Sequence, residues 1–296
     1  MDLSPQEIKQ FQTRIFDWYK VNKRDLPWRQ IPFDTTLHQR DPYEILLSEV
    51  MAQQTQISRV ILKYESWLEA FPTIQDLAKA SVSNILVYWT GLGYNRRALN
   101  LKKTAEIIVN QYDGKFPREE SELLKLPGIG QYTARALLCF GFNEQIAVVD
   151  TNIRKVILTQ FINSHPGEAK TSIGSHSKID SIASLQNDIN EIQKIADQLL
   201  PQGRAYEWNQ ALMDYASAVL KKEKIDIPKQ SKFKGSHRYY RGQVLKKLIE
   251  KKKISLPELG GLIKKDYDEV WLQSLVSELR DEGFVELDGK VVKLSS

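Results

Sequence analysis

The sequence predicts a mainly α protein, on three observations. Apolar residues recur at three- and four-residue intervals through most of the first 220 residues, the period of amphipathic helices. Almost nothing in that stretch alternates as a strand would. Beyond a basic connector the pattern restarts at Arg238 and ends in a single hairpin signal. A chain of 296 residues has room for one large domain or two to three smaller ones, each with a core.

Residues 5 to 20 read as a helix. Ser4 is placed to cap it, Pro5 suits its first position, and Ile8, Phe11, Ile15 and Trp18 form one stripe. Residues 24 to 41 read as a loop. A second helix is expected from Pro42 to Gln53, with Ile45, Leu46, Glu49 and Val50 at helical spacings. Further helices are expected over 56 to 70, 81 to 89, 95 to 112, 119 to 126, 131 to 141, 151 to 162, 187 to 200 and 204 to 220. Between Asn163 and Gln186 the composition turns polar and reads as a surface loop. Residues 1–222 therefore form one helical region, and 223–237 a basic linker punctuated by proline and glycine. Residues 238–296 give helices over 238 to 252, 256 to 265 and 267 to 282, then a hairpin turning at Asp288-Gly289. Three helices followed by a hairpin look like a winged-helix module.

The stretch from Leu123 to Val156 is the most informative. A short helix ends at Leu126, Pro127-Gly128-Ile129-Gly130 forms a tight turn, and another helix begins near Gln131. The two glycines allow positive φ and close approach of a ligand, and the helix start offers unpaired N–H groups suited to a phosphate. Gly-rich turns also join helices in many folds, so an ordinary corner is the alternative. Asp150 follows the apolar run Ile146 to Val149 and precedes a helical pattern. There it can cap the helix and stay ionised in the positive field of the helix start.

Composition bounds the function. A hydrophobic share of 42% with 9% aromatic residues fits a soluble globular protein, and no apolar run approaches a membrane span. The N-terminus lacks the regions of a signal peptide, so a cytoplasmic, non-secreted protein is expected, nucleoid-associated if bacterial. The one cysteine, Cys139, excludes an intrachain disulfide framework. The histidines His38, His165, His176 and His237 form no helical metal pair, so no metal is expected. Net charge +5 and pI ≈ 9.0 favour a polyanionic partner.

The hairpin followed by Asp150 resembles the helix-hairpin-helix DNA glycosylases, the superfamily of endonuclease III. Leu26-Pro27-Trp28-Arg29, Asp41-Pro42-Tyr43, Ser48 to Gln56 and Trp89-Thr90-Gly91-Leu92-Gly93-Tyr94 stand in the order of its adenine-removing, MutY-type branch, over roughly residues 5 to 220. The resemblance implies a two-lobed fold, with a six-helix lobe over about 30–148 and a second lobe from 1–29 and 149–222. It further implies a partner, double-stranded DNA carrying a mispair or an oxidised base, bound by a monomer.

Base removal passes through an oxocarbenium-like sugar, so two carboxylates in different settings can divide the work. Glu49 lies in an apolar context that favours its protonated form, and by resemblance it protonates the purine at N7. By resemblance Asp150 stabilises the sugar cation. Tyr132 stands where bifunctional relatives carry a Schiff-base lysine, which implies hydrolysis without strong strand cleavage, and Tyr132 and Asn152 are candidates to orient Asp150. By resemblance Gln53 and Gln54 occupy and read the space near the lesion and Tyr94 wedges beside the base opposite, with Pro127, Gly128, Ile129, Gly130 and Thr133 at the DNA backbone. Arg97, Lys102 and Lys103 are placed for phosphate or for solvation. Trp28, Arg29 and Gln210 would line the base pocket. Singly, Glu49 also reads as a helix-edge residue and Asp150 as a structural cap.

The sequence departs from the family in places. A [4Fe–4S] cluster needs four thiolates, so no cluster is expected, with Ala218, Val219 and Leu220 sealing that end by packing. The tail is too short for the Nudix-like domain that reads 8-oxoguanine. Ala52 and Asn95 replace residues usual in the family. Three readings follow. The leading one is a monofunctional glycosylase removing adenine paired with 8-oxoguanine or guanine. The others are a mismatch thymine or uracil glycosylase and a non-catalytic DNA-binding protein. Lys246, Lys247 and Lys251 to Lys253, with Arg238 and Arg241, fit either DNA contact or a solvated helix face.

Overall fold

The computed structural model describes residues 2–162, 182–221, 232–264 and 266–295. The described residues fold into two compact units. The helices are α1 (Pro5–Asn22), α2 (Pro42–Ala52), α3 (Ile57–Ala70), α4 (Ile74–Lys79), α5 (Val82–Trp89), α6 (Arg96–Gln111), α7 (Glu120–Leu123) and α8 (Gln131–Ala136). They continue as α9 (Thr151–Ile157), α10 (Ile182–Leu199), α11 (Ala205–Ala218) and α12 (His237–Lys251). The C-terminal module completes them with β1 (Lys253–Ser255), α13 (Leu256–Ile263), α14 (Glu269–Asp281), β2 (Val285–Asp288) and β3 (Val291–Leu294).

The first unit comprises Met1–Leu46, Arg118–Leu124 and Ile129–Ile227. Its core is one cluster drawn from α1, α9, α10 and α11, centred on Ile15, Val156, Ile195 and Trp208. The start of α1 is a capping box in which Ser4 and Glu7 satisfy each other's backbone N–H groups, worth about 1 kcal/mol. The expected stripe is wider than the spacing suggested, because Phe16 and Tyr19 are buried beside Phe11 and Ile15. Trp18 is only partly buried and meets Tyr215 edge-on at 5.3 Å. The helix expected from residue 187 begins at Ile182; the rest of the expected polar loop, 163–181, lies outside the described residues.

The second unit comprises Leu47–Pro117, Lys125–Gly128 and Pro228–Ser296. It packs α4 on α6 and buries Trp67 against Trp89 at 5.5 Å. Helix α4 was not expected. It is only six residues long, too short for periodicity to register, and its start is fixed by the Thr73–Asp76 capping box.

The C-terminal module has the element order α–β–α–α–β–β, with antiparallel strands ordered β1-β3-β2. Strand β1 was missed because three residues following a helix carry no alternation to read. The hairpin turn is corrected by one residue. Asp288 pairs with Val291, so the two-residue turn is Gly289-Lys290, and of these only Gly289 has positive φ (58°). The module shares one core with α5 and α6, as Val82, Leu86 and Leu99 pack with Val244, Leu248 and Leu279.

Candidate active site

Asp150 caps α9. Its Oδ1 accepts from the Ile153 N–H at 2.7 Å, and its Oδ2 accepts from the Asn152 side-chain amide at 2.7 Å. The geometry is the expected one, but the electrostatics are not. Burial raises the Asp150 carboxyl above the ordinary aspartate range, and the bonds from Ile153 and Asn152 only partly offset this. Sequence reading weighed the helix start alone, whereas desolvation depends on tertiary packing.

Asn209 on α11 is a residue the sequence analysis missed. Its Oδ1 accepts from the Val148 N–H at 3.0 Å, and its Nδ2 donates to the Ile146 carbonyl at 3.0 Å. These bonds pair the extended Ile146–Val149 run as a neighbouring strand would and thereby aim Asp150. A lone asparagine in an apolar helix face was the available signal.

The hairpin joins α7 to α8 through Pro127–Gly130. Gly128 has φ +80°, and a Cβ there would stand 2.9 Å from Asn100 Cβ, so glycine is required on two counts. Gly130 corrects the expectation of two positive angles. It is the N-cap of α8 at φ −97°, with open space where a side chain would go. Ile129 and Thr133 are buried, whereas Gly128 and Gly130 are exposed and no side chain caps the start of α8. Tyr132, in that first turn, is half-buried.

Of the expected base-pocket group, Trp28 is buried, and Arg29 donates from Nε to Gln210 Oε1 at 2.8 Å. The dominant partner is one that sequence reading overlooked. Asp214, four residues after Gln210 on α11, accepts two bonds from Arg29 at 2.8 Å and one from Arg24 Nε at 2.6 Å. Burial alone would raise the Asp214 carboxyl, but Arg29 and Arg24 outweigh it and hold it below the ordinary range. Arg29 is thus engaged at once by a buried carboxylate and by Gln210.

In the second unit, Glu49 sits partly exposed on α2 between buried Ser48 and Val50. Gln53 and Gln54, expected at the end of that helix, form the turn just after it, with Gln54 at φ 51°. Tyr94 is exposed (39%) at φ 46°, after Gly91 and Gly93, both also at positive φ. Two non-glycine residues in the left-handed region cost about 1–2 kcal/mol each. Arg97 holds them there. Its guanidinium lies among the carbonyls of Val50 (2.6 Å), Gln53 (2.6 Å) and Gly93 (3.1 Å), and burial pulls it down to about 10. The expected phosphate contact by Arg97 is therefore corrected: it is an internal clamp. Lys102 is likewise engaged, by Glu106 at 2.6 Å and the Ala78 carbonyl at 3.1 Å.

A four-thiolate cluster does not fit these residues. The single cysteine, Cys139, is buried on α8's continuation and lies 3.3 Å from Asn209 Nδ2. No group of three or more metal-ligating side chains occurs among the described residues. The end of α11 is closed by Ala216 and Leu220, while Ala218 and Val219, expected to pack, are exposed. Among the described residues no helix is long and apolar enough to cross a membrane.

Residues 47–175 match the HhH-GPD superfamily base excision DNA repair protein profile. Its sequence is similar to adenine DNA glycosylases. Identity is 34% over 236 residues with that of Arabidopsis thaliana, covering 73% of this chain and 34% of the relative. It is 31% over 242 residues with that of Mus musculus (80% and 44%), and 36% over 219 residues with that of Mycolicibacterium smegmatis (74% and 64%). The chain thus spans only 34% to 64% of the length of these relatives. Among solved structures, a thermostable thymine-DNA glycosylase superposes with TM-score 0.58 at 27% identity, over 74% of this chain and 90% of its own. A trapped endonuclease III–DNA covalent intermediate shares the fold at TM-score 0.53 and 20% identity, over 72% and 86%.

Proposed function

We propose that this protein is a monofunctional DNA glycosylase of base excision repair that hydrolyses the N-glycosidic bond of adenine mispaired with 8-oxoguanine or guanine. The observation that carries the reading is the Asp150 arrangement. The Asp150 carboxylate is held by a helix N–H and the Asn152 amide, beyond a hairpin whose following helix carries Tyr132 rather than lysine in its first turn. The names of the relatives support adenine as the base.

In this mechanism the adenine leaves the duplex, Gln53 and Gln54 occupy and read the space near the lesion, and Tyr94 wedges beside the base opposite. Glu49 delivers its proton to N7, the C1′–N9 bond breaks, and the electron pair leaves with the neutral base. Asp150, as the anion, stabilises the positive sugar until water adds at C1′ and gives up a proton. Tyr132 cannot form a Schiff base, so the product is an intact strand with an abasic site. No step involves an iron–sulfur cluster, and the proposed enzyme works without one as a monomer on double-stranded DNA.

The test is base release from end-labelled duplexes carrying adenine, thymine or uracil opposite guanine or 8-oxoguanine, with and without alkali. Adenine release that breaks the strand only after alkali is expected. Release of thymine or uracil alone would overturn the adenine reading in favour of the activity named for the structural relative at 27% identity. Binding with no release from any duplex would reduce the protein to a DNA-binding module.

A further inference from the structure

The C-terminal module carries a lysine-rich sheet edge that the proposed chemistry does not use. Successive side chains on β1 and β3 point to opposite faces of the sheet. Ile254, Val292 and Leu294 face the core, so Lys253 and Lys293 share the outer face. We propose that this edge, with Lys252 and Lys253 at its centre, binds the sugar–phosphate backbone of double-stranded DNA. The inference rests on the DNA-glycosylase reading and adds to it a contact that holds the duplex whatever its sequence.

Three observations support it. Lys253 stands directly opposite Lys293 across the β1–β3 ladder. Like charges in that relation repel and destabilise a sheet. A lysine on an edge strand guards against unwanted pairing, but that role needs no second lysine opposite it. Lys252 is the second observation. It ends α12 at φ 65° and ψ −47°, a backbone that glycine adopts readily and that strains a residue carrying a Cβ. The helix dipole accounts for a cation in the last turn, which Lys251 supplies while pairing with Glu258 at 2.6 Å. It does not call for a lysine in strained backbone. Two unfavourable placements thus adjoin, each keeping a positive charge, and strain that is retained points to function.

The third observation is electrostatic. Lys252, Lys253 and Lys290 are exposed, and among the described residues none of them forms an ion pair. The carboxylates of the outer face, Glu286 and Asp288, both stand on β2, beyond β3, and Glu286 pairs with Lys293 at 2.8 Å. The β1 edge is therefore left positive. Helix α14 offers no such surface. Its Glu278 and the adjoining Glu282 pair with Arg241, Glu282 pairs also with Arg96 of α6, and Glu269 and Asp281 are exposed. That helix repels phosphate where the sheet edge attracts it. Lysine contacts to phosphate position a protein on a duplex without reading its sequence.

The experiment compares two double variants with the wild type by fluorescence anisotropy over a range of salt concentrations. One duplex is fully paired, and the other carries an uncleavable 2′-fluoro-adenosine opposite guanine. Lys252→Gly with Lys253→Thr removes two charges from the edge while suiting both backbones, since glycine accepts the positive φ and threonine favours a strand. Its thermal midpoint is expected at or above that of the wild type. Its affinity at about 0.1 M salt should fall roughly tenfold on both duplexes, with the slope of log Kd against log salt lower by about 2. Lys264→Ala with Arg280→Ala removes the same charge from around α13 and α14 and should leave the slope unchanged. A lowered midpoint or an unchanged slope in the first variant, an equal fall in the second, or a loss confined to the mispaired duplex overturns the assignment. Adenine release by the wild type, measured in parallel, separates the readings. Release with an unchanged slope in the first variant rejects the surface alone. No release, with the slope lowered as expected, rejects the glycosylase reading and leaves the DNA contact standing.

Discussion

Arg97 donates from Nη1 to the Gln53 carbonyl at 2.6 Å, and that bond joins the end of α2 to the turn presenting Tyr94. The same guanidinium reaches the Gly93 carbonyl at 3.1 Å. One side chain thereby holds both Gln54 and Tyr94 in left-handed backbone conformations. Strain of this kind persists only where the surroundings over-determine it.

Arg97→Ala removes the clamp and strands several carbonyls. A loss of about 3 kcal/mol is expected, seen as a lower urea midpoint, together with weaker duplex binding. Arg97→Lys should recover only part, because one ammonium cannot span the separated acceptors. A midpoint for Arg97→Ala equal to wild type would show that the bonds carry no net stability.

In the proposed mechanism Asp150 works as the anion, so its raised carboxyl predicts that activity is lost as pH falls through a value above that of an ordinary aspartate. Asn152→Ala deletes a bond to the anion and should move that acid limb to higher pH, whereas a merely structural Asn152 would lower the rate at every pH alike. Asp150→Asn should cost about 10³-fold in single-turnover base release with duplex binding retained.

Asp214→Asn leaves Arg29 and Arg24 without their shared carboxylate, at an expected cost of about 3–5 kcal/mol. Because the folded carboxyl lies below its unfolded value, the Asp214 contribution is fully present above the ordinary aspartate pKa of about 4. It is lost as pH falls through the lower folded value. Chemical denaturation of wild type and variant at several pH values should therefore show a gap that is constant near neutrality and narrows in acid.

The two hairpin glycines should respond differently to alanine. Gly128→Ala meets both the positive φ and Asn100, and a loss of about 2 kcal/mol is expected. Gly130→Ala meets open space at an allowed φ and should stay within about 0.5 kcal/mol of wild type. Thermal unfolding of both proteins checks the pair, and equal effects would contradict the backbone argument.

The sequence by itself determined the helical class, the hairpin, the placement of Asp150 as the cap of α9 and the three helices and closing hairpin of the C-terminal module. Each is local: periodicity, capping residues and glycine positions act over a few neighbours, as Ser4 with Glu7 and Gly128 with its turn illustrate. Short pieces such as α4 and β1 escaped because six or three residues hold too little periodicity to read. Only the tertiary structure decided that Arg97 clamps carbonyls instead of meeting phosphate, that Asp214 fixes Arg29, and that Asn209 aims the run before Asp150. It also decided that burial raises the Asp150 carboxyl and that Lys253 stands opposite Lys293. Their common cause is sequence separation. Partners for charged and polar side chains, and the desolvation they undergo, come from segments tens to more than a hundred residues away, which no local pattern records.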